Sequence, residues 1–261
     1  MRQSIIILSA LLPAALSLGS CSVKENRSVC PCELIVRPEE ALKTDGNVLV
    51  SVVQDGEVVK QGMLSGEDFE SGKCRMLVKR RPSVVTVFTG ITSMSPLPGE
   101  KLDIKYDNEC DEVYSCSQQK ELDGDVCDCP LSLHKNFARL NLTILNLPEN
   151  SGICVSGTVR GYDLMYAAPY EGVFNCYPVL AEGTNDCCIR LPRQVDDKLT
   201  LSIMKDGEVL RAVLMGRMIA ATGYSFEDED LMDISMTLDM EKAQALLGLE
   251  DWEQVIFQLD K

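Results

Sequence analysis

Along most of the chain apolar and polar residues alternate with a period of two rather than 3.6. Ala138, Leu140, Leu142 and Ile144 alternate with Arg139, Asn141 and Thr143, the pattern of a strand with one buried face. Leu199, Leu201 and Ile203 repeat it. Residues 83–90 form a β-branched run between Arg81-Pro82 and a loop carrying Pro96 and Pro98. Two further runs, residues 51–60 (SVVQDGEVVK) and 202–211 (SIMKDGEVLR), are each broken by Asp-Gly. Asp-Gly suits a two-residue hairpin turn, whose central residues both need positive φ. The two matching hairpins predict two similarly built β-domains. Residues 115–130 are polar, acidic and rich in turn formers, and read as the link between them. Helical periodicity is scarce until residues 226–231 and 240–247, where helix and strand patterns compete. The expected fold is all-β: two sandwich domains, over residues 21–130 and 131–261, behind a signal peptide at residues 1–20.

The leader carries its own chemistry. Arg2 supplies a positive start, and residues 5–18 form an apolar stretch containing Pro13. A membrane-spanning helix needs about 20 apolar residues, so this stretch is too short. It ends in Leu18-Gly19-Ser20-Cys21, which resembles a bacterial lipobox. There the small residues admit the peptidase to the Ser20–Cys21 bond and the Cys21 thiol takes a diacylglycerol as a thioether. Two or three acyl chains, at about 0.8 kcal/mol per buried methylene, make the anchor permanent. No Asp follows Cys21, which permits sorting to the outer membrane.

Composition narrows the function. The chain has 40 acidic and 25 basic residues and a formal charge of −15, which disfavours nucleic acid as a partner. It is 5% aromatic with one tryptophan, Trp252, poor material for stacking sugars or single strands. The single histidine, His134, excludes multi-histidine metal sites. Besides Cys21 there are eleven cysteines, an odd number that cannot pair completely within one chain. Cys30-Pro-Cys32 and Cys127-Asp-Cys129 have one residue between thiols, where zinc ligands usually have two to four. Residues 66–74 imitate a phosphate loop, with the wrong glycine spacing and Cys74 where Ser or Thr would hold magnesium. Asp123-Gly-Asp125 and the acidic run 227–230 lack the ligand spacing of a calcium loop and read as solvated charge. No metal, cofactor, small-molecule substrate or catalytic residue is assigned, and the chain reads as a non-enzyme.

Ordered pieces of sequence resemble the FimB-type anchor subunits of type V fimbriae. They are Cys21; residues 27–34 around Cys30-Pro31-Cys32; Leu133-His134-Lys135-Asn136-Phe137-Ala138; Gly157-x-x-x-Gly161-Tyr162-Asp163; Leu191-Pro192-Arg193; residues 216–221; Asp230-Leu-Met-Asp233; and Asp251-Trp252-Glu253. The resemblance implies two transthyretin-like sandwiches on a lipoprotein of the outer membrane. Such a protein anchors the fimbrial rod through a stalk subunit and limits its length, joined to the stalk by strand complementation. Val255, Phe257 and Leu259, on one face of an extended tail, are the expected donor strand. The competing readings are a surface glycan-binding lipoprotein and a calcium-dependent surface hydrolase, which would require His134 and a carboxylate converging in a pocket. The lipobox makes the first prediction. Cys21→Ser should move the protein from carbonate-washed membranes to the soluble fraction; retention on the membrane would place the anchor elsewhere.

Overall fold

The computed structural model describes residues 26–97, 100–242, 244–249 and 255–259; Ser20, Cys21 and Trp252 lie outside them. The first unit opens with β1 (Pro31–Pro38), β2 (Asn47–Gln54), β3 (Glu57–Ser65), a helical turn α1 (Gly66–Glu70), β4 (Arg75–Lys79) and β5 (Ser83–Ile91). Short strands β6 (Ser95–Leu97) and β7 (Lys101–Asp103) leave for the second unit before β8 (Tyr114–Lys120) and β9 (Val126–Leu131) complete the first. β10 (His134–Lys135) carries the chain across. The second unit comprises β11 (Phe137–Leu145), β12 (Gly152–Asp163), β13 (Pro169–Cys176), β14 (Asp186–Pro192), β15 (Thr200–Lys205), β16 (Glu208–Val213), α2 (Met215–Ala221) and β17 (Ile234–Asp239). β18 (Gln244–Leu249) and β19 (Val255–Gln258) extend it.

Each unit is a sandwich. In the first, sheet β4-β1-β9 faces β10-β8-β5-β2-β3; in the second, β14-β11-β17-β18-β19 faces β16-β15-β12-β7-β6, with β13 on the free side of β12. The connectivity is the same in both. The opening strand pairs antiparallel with the fourth and parallel with the seventh, as β1 does with β4 and β9, and β11 with β14 and β17. The second strand pairs with the third and fifth, and the fifth with the sixth. The fold is all-β with two similar sandwiches, as the alternation predicts.

The Asp-Gly repeat is not the trace of that similarity. Both hairpins form, with positive φ at Asp55, Gly56, Asp206 and Gly207 and matching register shifts at Val52/Val53 and Ile203/Met204. Yet β2–β3 joins the second and third strands of its unit, whereas β15–β16 joins the fifth and sixth. The same local turn chemistry has been used at two different corners.

Residues 115–130 are not a linker. β8 pairs with β5 and β9 lies parallel to β1, so both belong to the first sandwich. The positions there that face the first core are held by Cys116, Leu122 and Cys129, while Ser115, opposite Phe88, faces the second unit, so the alternation is faint in sequence. Cutting in this stretch would remove strands rather than free a domain. The helix α2 is a second departure. Gly216 in its first turn packs against the chain, since a Cβ there would stand 2.3 Å from the Asp197 carbonyl oxygen.

The units are fused through the sheet that contains β2 and β5. Val48, Val50, Val52, Val85 and Val87 face the first core with Leu34, Val36 and Phe69. Leu49 and Phe88 point the other way, into the core of the second unit, where Phe88 meets Tyr162 with ring centroids 6.0 Å apart. The hydroxyls of Ser51 and Thr86, fully buried on that outer face, donate to the carbonyls of Leu164 and Met165. Burying Leu49 and Phe88 contributes roughly 3–6 kcal/mol at about 1.5–3 each. Gly161 lets β7 reach β12, because a Cβ there would lie 2.1 Å from the Leu102 carbonyl oxygen.

The crossing from β5 into the second unit is fixed by Asp111. Its carboxylate accepts the backbone N–H groups of Thr92, Ser93 and Met94, each at 2.8 Å, and both hydroxyls of Thr92 and Ser93 at 2.7 Å. Burial alone would raise its pKa, but these donors outweigh it and hold the group below the ordinary carboxylate value. A depressed folded-state pKa gives stability that is present above the unfolded value of about 3.9 and lost as pH falls towards the folded one. Asp111→Ala should therefore cost about 3 kcal/mol or more at pH 7, from orphaned buried donors. The gap between variant and parent should shrink below about pH 4 in denaturant titrations. A gap independent of pH would assign the cost to packing.

Candidate functional site

The motif pieces scattered through the sequence converge where the chain passes between units. The Asn136 side chain, 7% exposed, accepts from Arg193 Nε at 2.7 Å and donates to Ser115 Oγ. The Asn136 carbonyl accepts the Tyr162 hydroxyl at 2.5 Å, and that hydroxyl accepts the Arg193 N–H at 3.2 Å. Arg193 then spreads its guanidinium over four carbonyls, those of Phe226, Asp228 (2.7 Å), Glu229 (3.0 Å) and Lys135 (3.5 Å). Asp233 accepts from Lys135 Nζ at 2.6 Å and the Arg139 N–H at 2.8 Å. The acidic run 227–230 is thus not merely solvated charge: its backbone is clasped by one arginine. Burial lowers the Arg193 pKa from the ordinary arginine value.

His134 stands at the rim of a cavity of about 220 Å³ lined also by Lys43, Thr89, Tyr114, Ser132 and Asp230. Its Nε2 lies 3.0 Å from Glu229 Oε1 and its Nδ1 3.3 Å from Asp230 Oδ2. Asp230 also accepts the Lys135 N–H at 2.6 Å. Burial would raise its pKa, but the Lys135 N–H and the histidine pull it below the ordinary value. A carboxylate does converge on His134, as the hydrolase reading requires. However, the partners of both ring nitrogens are these carboxylates, and among the described residues neither nitrogen has a hydroxyl partner such as Ser132 or Thr89. The arrangement is a clasp between units.

The cysteines divide by depth. Cys32, Cys74 and Cys129 sit in the first core, with Cys127 packed against it; Cys110, Cys154 and Cys176 are buried in the second unit. The parallel pairing of β1 with β9 brings the two Cys-x-Cys segments side by side, and the Cys32 and Cys127 side chains touch. Burial, followed by that contact, pushes Cys32 up to about 11, and burial does the same for Cys129. Both are neutral thiols at pH 7 and therefore poor nucleophiles. Residues 66–70 form α1, capped by Ser65 Oγ accepting the Asp68 N–H, with Phe69 plugging the core.

Of the expected donor residues, Val255 and Phe257 lie on β19 and Leu259 directly follows it; among the described residues β19 pairs only with β18, through Gln244↔Gln258, Ala245↔Phe257, Leu246↔Ile256 and Leu247↔Val255. It forms the edge of its sheet. Phe257 and Leu259 pack on the margin of the second core, while Val255 and Ile256 keep 38% and 66% exposure. Sequence pattern places Val255, Phe257 and Leu259 on one face; the structure gives that face a shallow seat. Asn136, Tyr162 and Arg193 are visible in sequence only as members of resemblance motifs, since each acts through a single polar atom. Arg193→Ala should destabilise the chain by about 2–3 kcal/mol, the scale of a lost charge-assisted network. It should also speed amide exchange selectively in residues 225–231; uniform acceleration would show that the guanidinium is not the local clasp.

No family model matches the sequence, and no curated protein matches it. Solved structures do share its fold. The fimbrial anchor protein Mfa2 of Porphyromonas gingivalis superposes with a TM-score of 0.62 at 13% identity, covering 85% of this chain and 98% of its own. A provisionally designated polysaccharide-binding protein of Bacteroides thetaiotaomicron gives 0.61 at 13% identity, covering 88% and 99%. A provisionally designated adhesin of Bacteroides ovatus gives 0.58 at 11% identity, covering 91% and 98%. The chain has the two-sandwich architecture of these bacterial surface proteins over nearly their full length.

Proposed function

We propose that the chain is a fimbrial anchor subunit, held in the outer membrane by lipid on Cys21, that fixes the fimbrial rod to the cell and limits its length. The observation that carries the reading is the location of β19 relative to the chain's start. Residue 26 leads into the first sandwich, whereas β19 closes the edge of the second. An anchor needs those two attachments in different units, so that tension on the rod passes through the fused core. No helix among the described residues is long and apolar enough to cross a membrane.

β19 is suited to exchange. At home it is a four-residue edge strand that leaves Ile256 and much of Val255 in water. Seated in a stalk subunit's vacant groove, Val255, Phe257 and Leu259 would each gain up to about 1.5–3 kcal/mol from full burial, before ordering and association costs. The ladder there would have a neighbour on both sides instead of one. The glycan reading draws on the exposed rings of Tyr106, Tyr166 and Tyr177, at 67%, 53% and 50%, and on the polysaccharide-binding designation of one neighbour; one face of the Tyr106 ring is already covered by the Arg160 guanidinium at 4.0 Å.

Deleting residues 256–261 should leave a folded, lipidated protein whose cells shed fimbriae into the medium. Phe257→Asp, which keeps the chain length, should do the same. Fimbriae that stay attached in both variants would show that β19 only completes its own sheet.

A further inference from the structure

The outer face of sheet β4-β1-β9 differs from the rest of this acidic chain. Residues 71–99 contain Lys73, Arg75, Lys79, Arg80 and Arg81 and no acidic residue, within a chain of charge −15. β4 is an edge strand whose pleat sends Arg75, Leu77 and Lys79 outward and Val78 into the core. Leu77, Glu33 and Val126 fall in one register row across the sheet, and Arg75, Ile35 and Asp128 in the next. Leu77 is 62% exposed, Val126 56%, and Val29, two residues ahead of β1, 68%.

A cleft of about 420 Å³ continues the patch from β4 to β3, the edge of the facing sheet, lined by Val29, Val59 and Leu77 with Lys60, Lys79 and Glu57. The other acids beside it are each paired: Glu33 with Arg75 at 3.2 Å, Asp128 with Arg37 at 2.7 Å, Asp125 with Arg80, and Asp55 with Arg81. Lys60 and Lys79 thus outnumber Glu57 around an apolar centre. Elsewhere the excess of acids would be repelled by an anionic surface.

Chain length fixes what this patch meets. From Cys21 to Asn26 there are five residues, at most about 18 Å of extended backbone, and Val29 follows three residues later. A lipid on Cys21 therefore holds the patch beside the bilayer. We propose that Val29, Leu77 and Val126, with Lys60 and Lys79, lie against the headgroup region of an anionic membrane surface. This rests on the reading of Cys21 as the anchor and adds an orientation to it. The apolar side chains enter the interface while the lysines meet lipid phosphates, and the second sandwich with β19 is turned away towards the rod. Lysines that merely guard an edge strand would show no response to lipid.

The test uses the Cys21→Ser chain without the leader 1–20, so that the face is examined with neither the anchor nor the apolar leader. It should sediment with phosphatidylethanolamine–phosphatidylglycerol vesicles, not with phosphatidylcholine vesicles, and be released at about 0.5 M salt. Adding Lys60→Glu, Lys79→Glu and Leu77→Asn, all at exposed positions, should cut partitioning at least about tenfold, each cation being worth roughly fivefold. The melting temperature should hold. Val209→Asn, at an exposed site on β16, should change nothing. In the lipidated protein, reconstitution into the same lipids should slow exchange at β4 and not at β16. Failure of the Cys21→Ser chain to bind anionic vesicles, equal binding by the triple variant, or protection at β16 instead would overturn the proposal. Absence of diacylglycerol on Cys21 by mass would overturn the anchor and leave the sedimentation result to decide the face.

Discussion

The rest of the structure depends on a sheet that is buried on both faces. β2 and β5 present valines to one core and Leu49, Ser51, Thr86 and Phe88 to the other unit. A sandwich normally leaves its outer faces wet, with polar residues alternating outward. Here the outward positions are themselves apolar or hydrogen-bonded across the junction. Neither unit can separate without exposing Phe88 and Tyr162 and orphaning two buried hydroxyls. The polar groups around Asn136, Arg193 and Asp111 then fix the angle at which the chain crosses. They do so with directional bonds where the apolar contact alone would allow sliding.

In the anchor role proposed above, this fusion would matter for attachment. A subunit pulled at one end and held at the other resists best when the load runs through a continuous core. Strand connectivity supports that path: β1 begins the first sandwich, β6 and β7 from the first half of the chain are stitched to β12, and β18–β19 close the far edge. The clasp of His134 by Glu229 and Asp230, and of the 226–229 carbonyls by Arg193, lies beside the same junction. Residues that look like catalytic material in isolation serve to lock two sandwiches together.

How much of this was legible in the sequence follows from what carries each signal. Strands with large inward residues, such as β11 with Leu140, Leu142 and Ile144, show plain alternation. The Asp-Gly corners are equally readable, because positive φ at two successive residues restricts residue type. β8 and β9 were hidden because Cys116 and Cys129 bury small volumes in the first core, Ser115 turns to the second unit, and polar exposed positions made the stretch look like a linker. α2 was hidden because its seven residues are set by the packing of Gly216 against Asp197 rather than by propensity. The fusion of the units was not legible at all. A strand buried on both faces reads as a nearly continuous apolar run, as in Val48 to Val53 broken only by Ser51, and nothing in one strand says which partner covers its second face. Likewise Arg193 acts on carbonyl groups, which leave no mark on the identity of residues 226–229.

Native-state hydrogen exchange across a denaturant series tests the fused core most directly. Amides of β1 and β9, which line only the first core, should open with the same free energy and denaturant dependence as those of β11 and β17 in the second. They should merge into a single global unfolding event. Two separate isotherms, with one sandwich keeping its protection after the other has opened, would contradict the account.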